Sequence, residues 1–249
     1  MVLSARLQAA LDLAPSGVAL ADVCCDHAHL ALAAAAAGAP HVIAIDVAAE
    51  PLALARRNAL LAGVQARVHV RLGDGLAPLV PGEVTGVVIA GVGGRTCLAI
   101  LGDGALDRLD LSWLVLQVNR DLPKVRVWLA ARGWRIERET LVRDGRRIFP
   151  TLRATPGHTP RALTPAEAYL GQLPRDADAA LHIAHLTRRV AKLRDEVAGL
   201  QRAVSKAEND AASAARVRAA ADTLTERQAW LTAVEEALAA RRAEASAPG

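Results

Sequence analysis

The chain has 249 residues, 52 % of them hydrophobic and only six aromatic, with a formal net charge of +4. That length buries one full core and leaves room for a smaller appendage, and the absence of any run of about 18 apolar residues argues against a transmembrane span. The three cysteines, Cys24, Cys25 and Cys97, are odd in number and form no CxxC pair, which points to reduced thiols in the cytoplasm and not to a disulfide framework.

In chain order, "MVLSARLQAALDLAPSG" reads as an amphipathic helix, with neither the apolar core nor the cleavage site of a signal peptide. Strand candidates follow at Val18–Val23, His41–Asp46, Val68–Leu72, Gly86–Ala90 and Trp113–Val118, alternating with helix candidates at Ala28–Ala37, Ala48–Ala62, Arg95–Leu101 and Leu122–Arg132. Such alternation predicts βαβ units and a mainly parallel sheet covered by helices. Two extended runs, Trp134–Val142 and Arg147–Ala154, are joined by "RDGR", where Asp144-Gly145 signals a hairpin turn. A parallel sheet closed by an antiparallel hairpin is the architecture of Rossmann-like class I methyltransferases, so seven strands are expected.

The linker "TPGHTPRALTP" ends that domain, which is expected to span 1–160. Beyond it, apolar or small residues recur at steps of four and three: Leu186, Val190, Leu193, Val197, Leu200, Val204 and Ala207, resuming at Val217, Ala221, Leu224, Leu231 and Leu238. This is a coiled-coil seam. Turn-prone Asn209-Asp210 divides it, so an antiparallel helical hairpin over 161–249 is expected, the competing possibility being a plain helical cap on the sheet. Charge is unevenly spread. From Arg120 to Arg161 there are eleven Lys/Arg against four acids, a segment of +7 against about −3 over the rest. That asymmetry suits a polyanion, the alternative being ordinary solvated faces.

The chemistry concentrates after the first strand, in "VALADVCCDHAHLAL". In a doubly wound sheet ligands bind beyond the carboxyl ends of the strands. A dinucleotide would need G-x-G-x-x-G there, and this loop has no glycine. S-adenosylmethionine carries no phosphate and asks instead for carboxylates near its cations and its ribose. Asp22 ends the first strand, Asp46 ends the second 24 residues on, and Asp74 follows the third between Gly73 and Gly75. As metal ligands, His27, His29 and Cys25 alternate on entering a helix and converge poorly, so no metal is expected. Adjacent Cys24 and Cys25 would make a strained disulfide. Cys97 and the tryptophans Trp113, Trp128 and Trp134 read as core.

At these residues the chain resembles a family. "ADVCCDHAHL", "SARLQ", "RLGDGL", "VIAGVGGRT", "LVLQVN" and "RDGRRIFPT" are similar, segment by segment, to the bacterial tRNA (adenine-22-N1)-methyltransferases, which also carry a coiled-coil C-terminal domain. Departures are Cys24 at the family glycine, Cys25 at a serine, His29 at a tyrosine, Val118 at a proline and Phe149-Pro150 at a Tyr-Glu pair. The resemblance implies S-adenosylmethionine as cofactor, held by Arg6, Asp22, Cys24, His27, Asp46, Val47, Asp74, Gly75 and Gly91, and tRNA as partner. It implies methylation of N1 of adenine 22, with Asp26 and Asn119 as catalytic residues and Gln117 in support. Asp26 has helix capping as its other reading. A degenerate tRNA-binding protein and a methyltransferase for another RNA base are the alternatives. A cytoplasmic monomer, away from membranes, is expected.

Overall fold

The computed structural model describes residues 3–102, 104–172, 178–207 and 214–246. In chain order the elements are α1 (Ala5–Leu13), β1 (Leu20–Val23), α2 (His29–Ala36), β2 (Val42–Asp46), α3 (Ala49–Leu61), β3 (Val68–Leu72), β4 (Gly86–Val92), α4 (Gly94–Leu101), α5 (Ala105–Leu109), β5 (Trp113–Val118), α6 (Leu122–Ala131), β6 (Arg135–Asp144), β7 (Arg147–Thr155), α7 (Pro165–Leu170), α8 (Ala179–Ala207) and α9 (Ala214–Ser246). They fall into two compact units, Met1–Ala162 with Gln172–Pro174, and Leu163–Gly171 with Arg175–Gly249.

The first unit is built on a seven-stranded sheet of order β3-β2-β1-β4-β5-β7-β6. Strands β1 to β5 are parallel, and β7 lies antiparallel to both β5 and β6. The central strands are near-continuous apolar runs because both faces are covered. Alternation then sorts their side chains. On one face Ile43, Ile45, Val87, Ile89, Leu114 and Leu116 pack with Cys97, Leu101, Leu109, Val125 and Leu129 from α4, α5 and α6. On the other, Leu20, Val42, Ala44, Val88, Trp113 and Val115 pack with Ala10 of α1, Ala31 and Ala35 of α2 and Leu52 of α3. Trp113 and Trp134 are buried, as the sequence suggests, whereas Trp128 is half-buried under the Arg132 guanidinium, 4.0 Å from its ring centre.

Two local expectations are corrected. The hairpin pairs Asp144 with Arg147, so its central residues are Gly145-Arg146, not Asp144-Gly145. Gly145, at φ 57, supplies the positive φ that a two-residue hairpin needs at its first central position. And Asp26 does not cap α2: the N-cap is Ala28 at φ 58, with no side-chain cap bond. The Asp22 carboxylate takes that place, its Oδ2 accepting from the Ala31 N–H at 3.1 Å.

In the second unit, α7 opens with a capping box between Thr164 and Glu167. Helices α8 and α9 run antiparallel: Thr187 meets Arg242, Arg194 meets Glu235, and Glu196 meets Arg227. Their seam buries Leu186, Val190, Leu193, Trp230, Val234 and Leu238 in one cluster, and Val197 is buried as well. Trp230 and Val234 hold places where the sequence points to Leu231, which is only partly buried. Trp230 is drawn in by Tyr169 of α7, the rings 4.9 Å apart. The expected turn at Asn209-Asp210 lies outside the described residues. Among the described residues no helix is long and apolar enough to cross a membrane.

Candidate functional site

The strand order reverses between β1 and β4, and at the carboxyl ends of β1, β4 and β5 a cleft of about 580 Å³ opens, a size that suits a small-molecule ligand. Its floor is the loop after β1. Cys24, Asp26 and Ala28 take φ values of 61°, 50° and 58°, so the chain turns left-handed at every second residue although none of the three is glycine. Each such residue costs on the order of 1–3 kcal/mol. The loop is pinned from outside: Cys25 N–H donates to the Ile45 carbonyl at 3.0 Å, and the Asp46 carboxylate accepts from the N–H groups of Asp26 (3.0 Å) and Ala48 (3.1 Å).

Four carboxylates serve different environments. Asp22 is buried, and burial pushes its pKa up to about 7, opposed by the Ala31 hydrogen bond and assisted by the charge of Asp46. Asp26 is open to solvent, with His27 Nδ1 3.6 Å from its Oδ1. Asp46 accepts one backbone N–H on each oxygen, as above, and keeps a further lone pair on each. Asp74 and Gly75 line a neighbouring hollow of about 520 Å³ with Thr96, Ile100 and Arg108. Burial, then the charges of Asp46, Asp22 and Asp74, raise the Cys24 thiol to about 11, and burial pushes Cys25 up as well. Both thiols are therefore neutral at ordinary pH. Among the described residues no three His, Cys, Asp or Glu side chains converge on a metal position.

The wall opposite is a hydrogen-bond network. Arg6 donates to Gln117 Oε1 at 3.0 Å, Gly91 N–H donates to the same oxygen at 3.1 Å, Gln117 Nε2 donates to Asn119 Oδ1 at 3.2 Å, and Asn119 Nδ2 donates to the Gly91 carbonyl at 2.6 Å. Gly91 stands at φ +85°, which favours glycine, and a Cβ there would sit 2.7 Å from an Arg6 nitrogen and displace the guanidinium from its present place. The Arg6 and Arg147 guanidiniums lie 5.7 Å and 4.9 Å from the centre of the Phe149 ring.

Of the residues singled out in the sequence, the cleft brings together Arg6, Asp22, Cys24, Asp26, Gly91 and Asn119, with His29 beside them. Asp46 joins through its bond to Asp26. Asp74 and Gly75 belong to the adjacent hollow, while His27 and exposed Val47 line neither. Sequence reasoning passed over Asp144, Gly145 and Arg147 as lining residues and met Phe149 only as a departure. The signal was the hairpin turn: β7 pairs with β5 in a register that sets Leu114 opposite Ala154 and Leu116 opposite Leu152, and this carries the turn to the end of the sheet where Asn119 lies.

Residues 3–152 match the family model described as "Methyltransferase domain". The chain is 31 % identical over 159 residues to the tRNA (adenine(22)-N(1))-methyltransferase of Bacillus subtilis (strain 168), an alignment spanning 62 % of this chain and 66 % of the relative. It is similar in fold to an uncharacterized protein from Listeria monocytogenes serotype 4b, with a TM-score of 0.73 and 25 % identity over 95 % of this chain and 100 % of that one. A putative tRNA (m1A22) methyltransferase of Streptococcus pneumoniae, solved in complex with S-adenosyl-L-methionine, gives a TM-score of 0.68 at 24 % identity, covering 92 % of this chain and 100 % of that one.

Proposed function

Because the chain belongs to the methyltransferase-domain family, we propose that it methylates N1 of adenine 22 in tRNA with S-adenosylmethionine as the methyl donor. The observation that carries this reading is the cleft where the sheet reverses. It gathers carboxylates (Asp22, Asp26), an amide (Asn119) and a guanidinium (Arg6) around one opening of about 580 Å³, in a chain related to a protein of that named activity. The donor set fits the cofactor: carboxylates for an ammonium and two ribose hydroxyls, a guanidinium for a carboxylate, and neutral thiols at the floor that leave a sulfonium unattacked. When bound, S-adenosylmethionine supplies an electrophilic methyl carbon.

In this reading Asp22 faces the ammonium, Arg6 the carboxylate and Asp46 the ribose. Asp74 with Gly75 takes the adenine ring, and Cys24 and Gly91 border the bound molecule. Asn119 reads the target base. The open carboxylate of Asp26 faces the positive charge that develops as N1 gives up its lone pair, an electrostatic role that is strongest in the transition state. Holding N1 in line with the methyl carbon accounts for much of the remaining acceleration. The target base must leave its stack to reach the cleft. The basic segment from Arg120 to Arg161 and the helical domain from 161 onward grip the RNA backbone. A tRNA substrate goes with a cytoplasmic place of work.

The test is nucleoside mass analysis of tRNA incubated with the purified protein and S-adenosylmethionine. One 1-methyladenosine at position 22 is expected. Methylation at another base overturns the choice of target, and bound RNA without methylation establishes the degenerate binder instead. Asp26→Asn should lower turnover roughly 10²–10³-fold with the melting temperature unchanged.

A further inference from the structure

Gln117 is fully buried near the carboxyl end of β5, an inner strand of the sheet, a costly place for an amide unless its hydrogen bonds are made. Its Oε1 accepts from the Arg6 guanidinium and from the Gly91 N–H. Both groups can only donate. The oxygen must therefore face them, and Nε2 must face Asn119, whose Oδ1 accepts. Asn119 Nδ2 then donates to the Gly91 carbonyl, which can only accept. The chain of bonds runs one way, from a group without acceptors to a group without donors, so neither amide can be turned over without breaking it.

We propose that Gln117 is a positioning residue that locks the Asn119 amide in one orientation and so makes the site select a purine with an amino group at C6 over one with a carbonyl there. The inference rests on the adenine methylation proposed above. Each polar atom of Asn119 has one bonding position left, a lone pair on Oδ1 and a hydrogen on Nδ2. Oδ1 accepts from the N6 amino group of adenine and leaves the neighbouring N1 unbonded, as its attack requires. Guanine would set O6 against Oδ1, two acceptors face to face. A turned Asn119 would receive guanine, but turning it puts Nδ2 against the Gln117 Nε2 donor and Oδ1 against the Gly91 carbonyl. The discrimination thus resides in Gln117 and in the Gly91 backbone, neither of which needs to touch the base.

The experiment measures single-turnover methyl transfer to synthetic tRNA carrying adenosine or purine riboside, which lacks the C6 amino group, at position 22. The ratio of the two rates is compared between proteins, so that any intrinsic difference in N1 reactivity cancels. For the parent, adenosine should be favoured by about 10- to 100-fold beyond that intrinsic difference, the worth of one specific base contact. Gln117→Glu presents acceptors only, which draws the Asn119 nitrogen toward residue 117, and the preference should fall about 10-fold; the rates are read at saturating cofactor, because the new carboxylate also meets Arg6. Gln117→Met keeps the volume and removes one of the two bonds that orient the amide, the Gly91 carbonyl still holding Nδ2, so the preference should weaken, by less than in Gln117→Glu. If the variants keep the parent's ratio, the lock is overturned and the proposed function stands. If the parent methylates neither RNA, the proposed function falls and takes the lock with it.

Discussion

Cys24 carries a side chain where the backbone is left-handed, a conformation that glycine adopts without steric cost. Its side chain packs against the core cluster of the β4–α4 side of the sheet that includes Ile89 and Cys97, which offsets part of the strain. Removing the Cβ should still leave a net gain: Cys24→Gly is expected to raise stability by about 1 kcal/mol, a melting-temperature increase of roughly 2–4 °C for a domain of this size, read by thermal denaturation. Asp22 makes the opposite kind of demand. Its folded pKa, about 7, lies above the ordinary value of 3.8 because burial disfavours the charge. The native state therefore holds the proton more tightly than the unfolded chain. The resulting stabilisation is complete below about pH 4 and is lost as pH rises through about 7. Asp22→Asn keeps an acceptor for the Ala31 N–H and cannot ionise, so its stability relative to the parent should grow by about 2–4 kcal/mol between pH 4 and pH 8. Urea denaturation at the two pH values checks this, and a constant difference would show that Asp22 does not titrate there.

Elements were the most legible level. Strand and helix candidates fall within one or two residues of their observed ends along most of the sheet, because parallel strands covered on both faces read as unbroken apolar runs. Two things escaped. The seam of α8 and α9 shifts to Trp230 and Val234 since Tyr169, from a separate short helix, supplies an aromatic partner that the heptad pattern does not contain. The buried ion pair of Arg126 on α6 with Glu139 on β6, at 2.8 Å and 3.2 Å, also accepts the Gln172 N–H at 2.9 Å on the Glu139 carboxylate, and in sequence these residues look like part of a basic surface. The pair anchors the connection after α7 to the sheet unit, whereas the hydrophobic cluster of α7, α8 and α9 shares no residue with the two sheet clusters. Deleting the chain from Asp176 onward should thus leave the sheet folded and cofactor binding intact, while tRNA affinity falls and its salt dependence flattens. Calorimetry with S-adenosylmethionine and a filter-binding titration with tRNA measure the two. Unchanged tRNA binding would assign the helical hairpin another task.

At the scale of the whole molecule, the acids at the strand ends were legible because they follow the strands that carry them, while the far wall of the cleft was not. Arg147 and Phe149 reach it only because β7 inserts between β5 and β6, an order that local pattern does not encode. Arg6 reaches it only because α1 packs across β5, β6 and β7. Arg147 comes 141 residues after Arg6 in the chain. The consequence concerns time. On the ribosome the first helix emerges long before the strands it rests on, and Gln117 leaves the exit tunnel before the hairpin that shelters it. The loop after β1, with its strained backbone, is complete early and has no finished pocket to belong to. The cleft can be complete only after the last two strands are released, since its lining runs from Arg6 to Phe149.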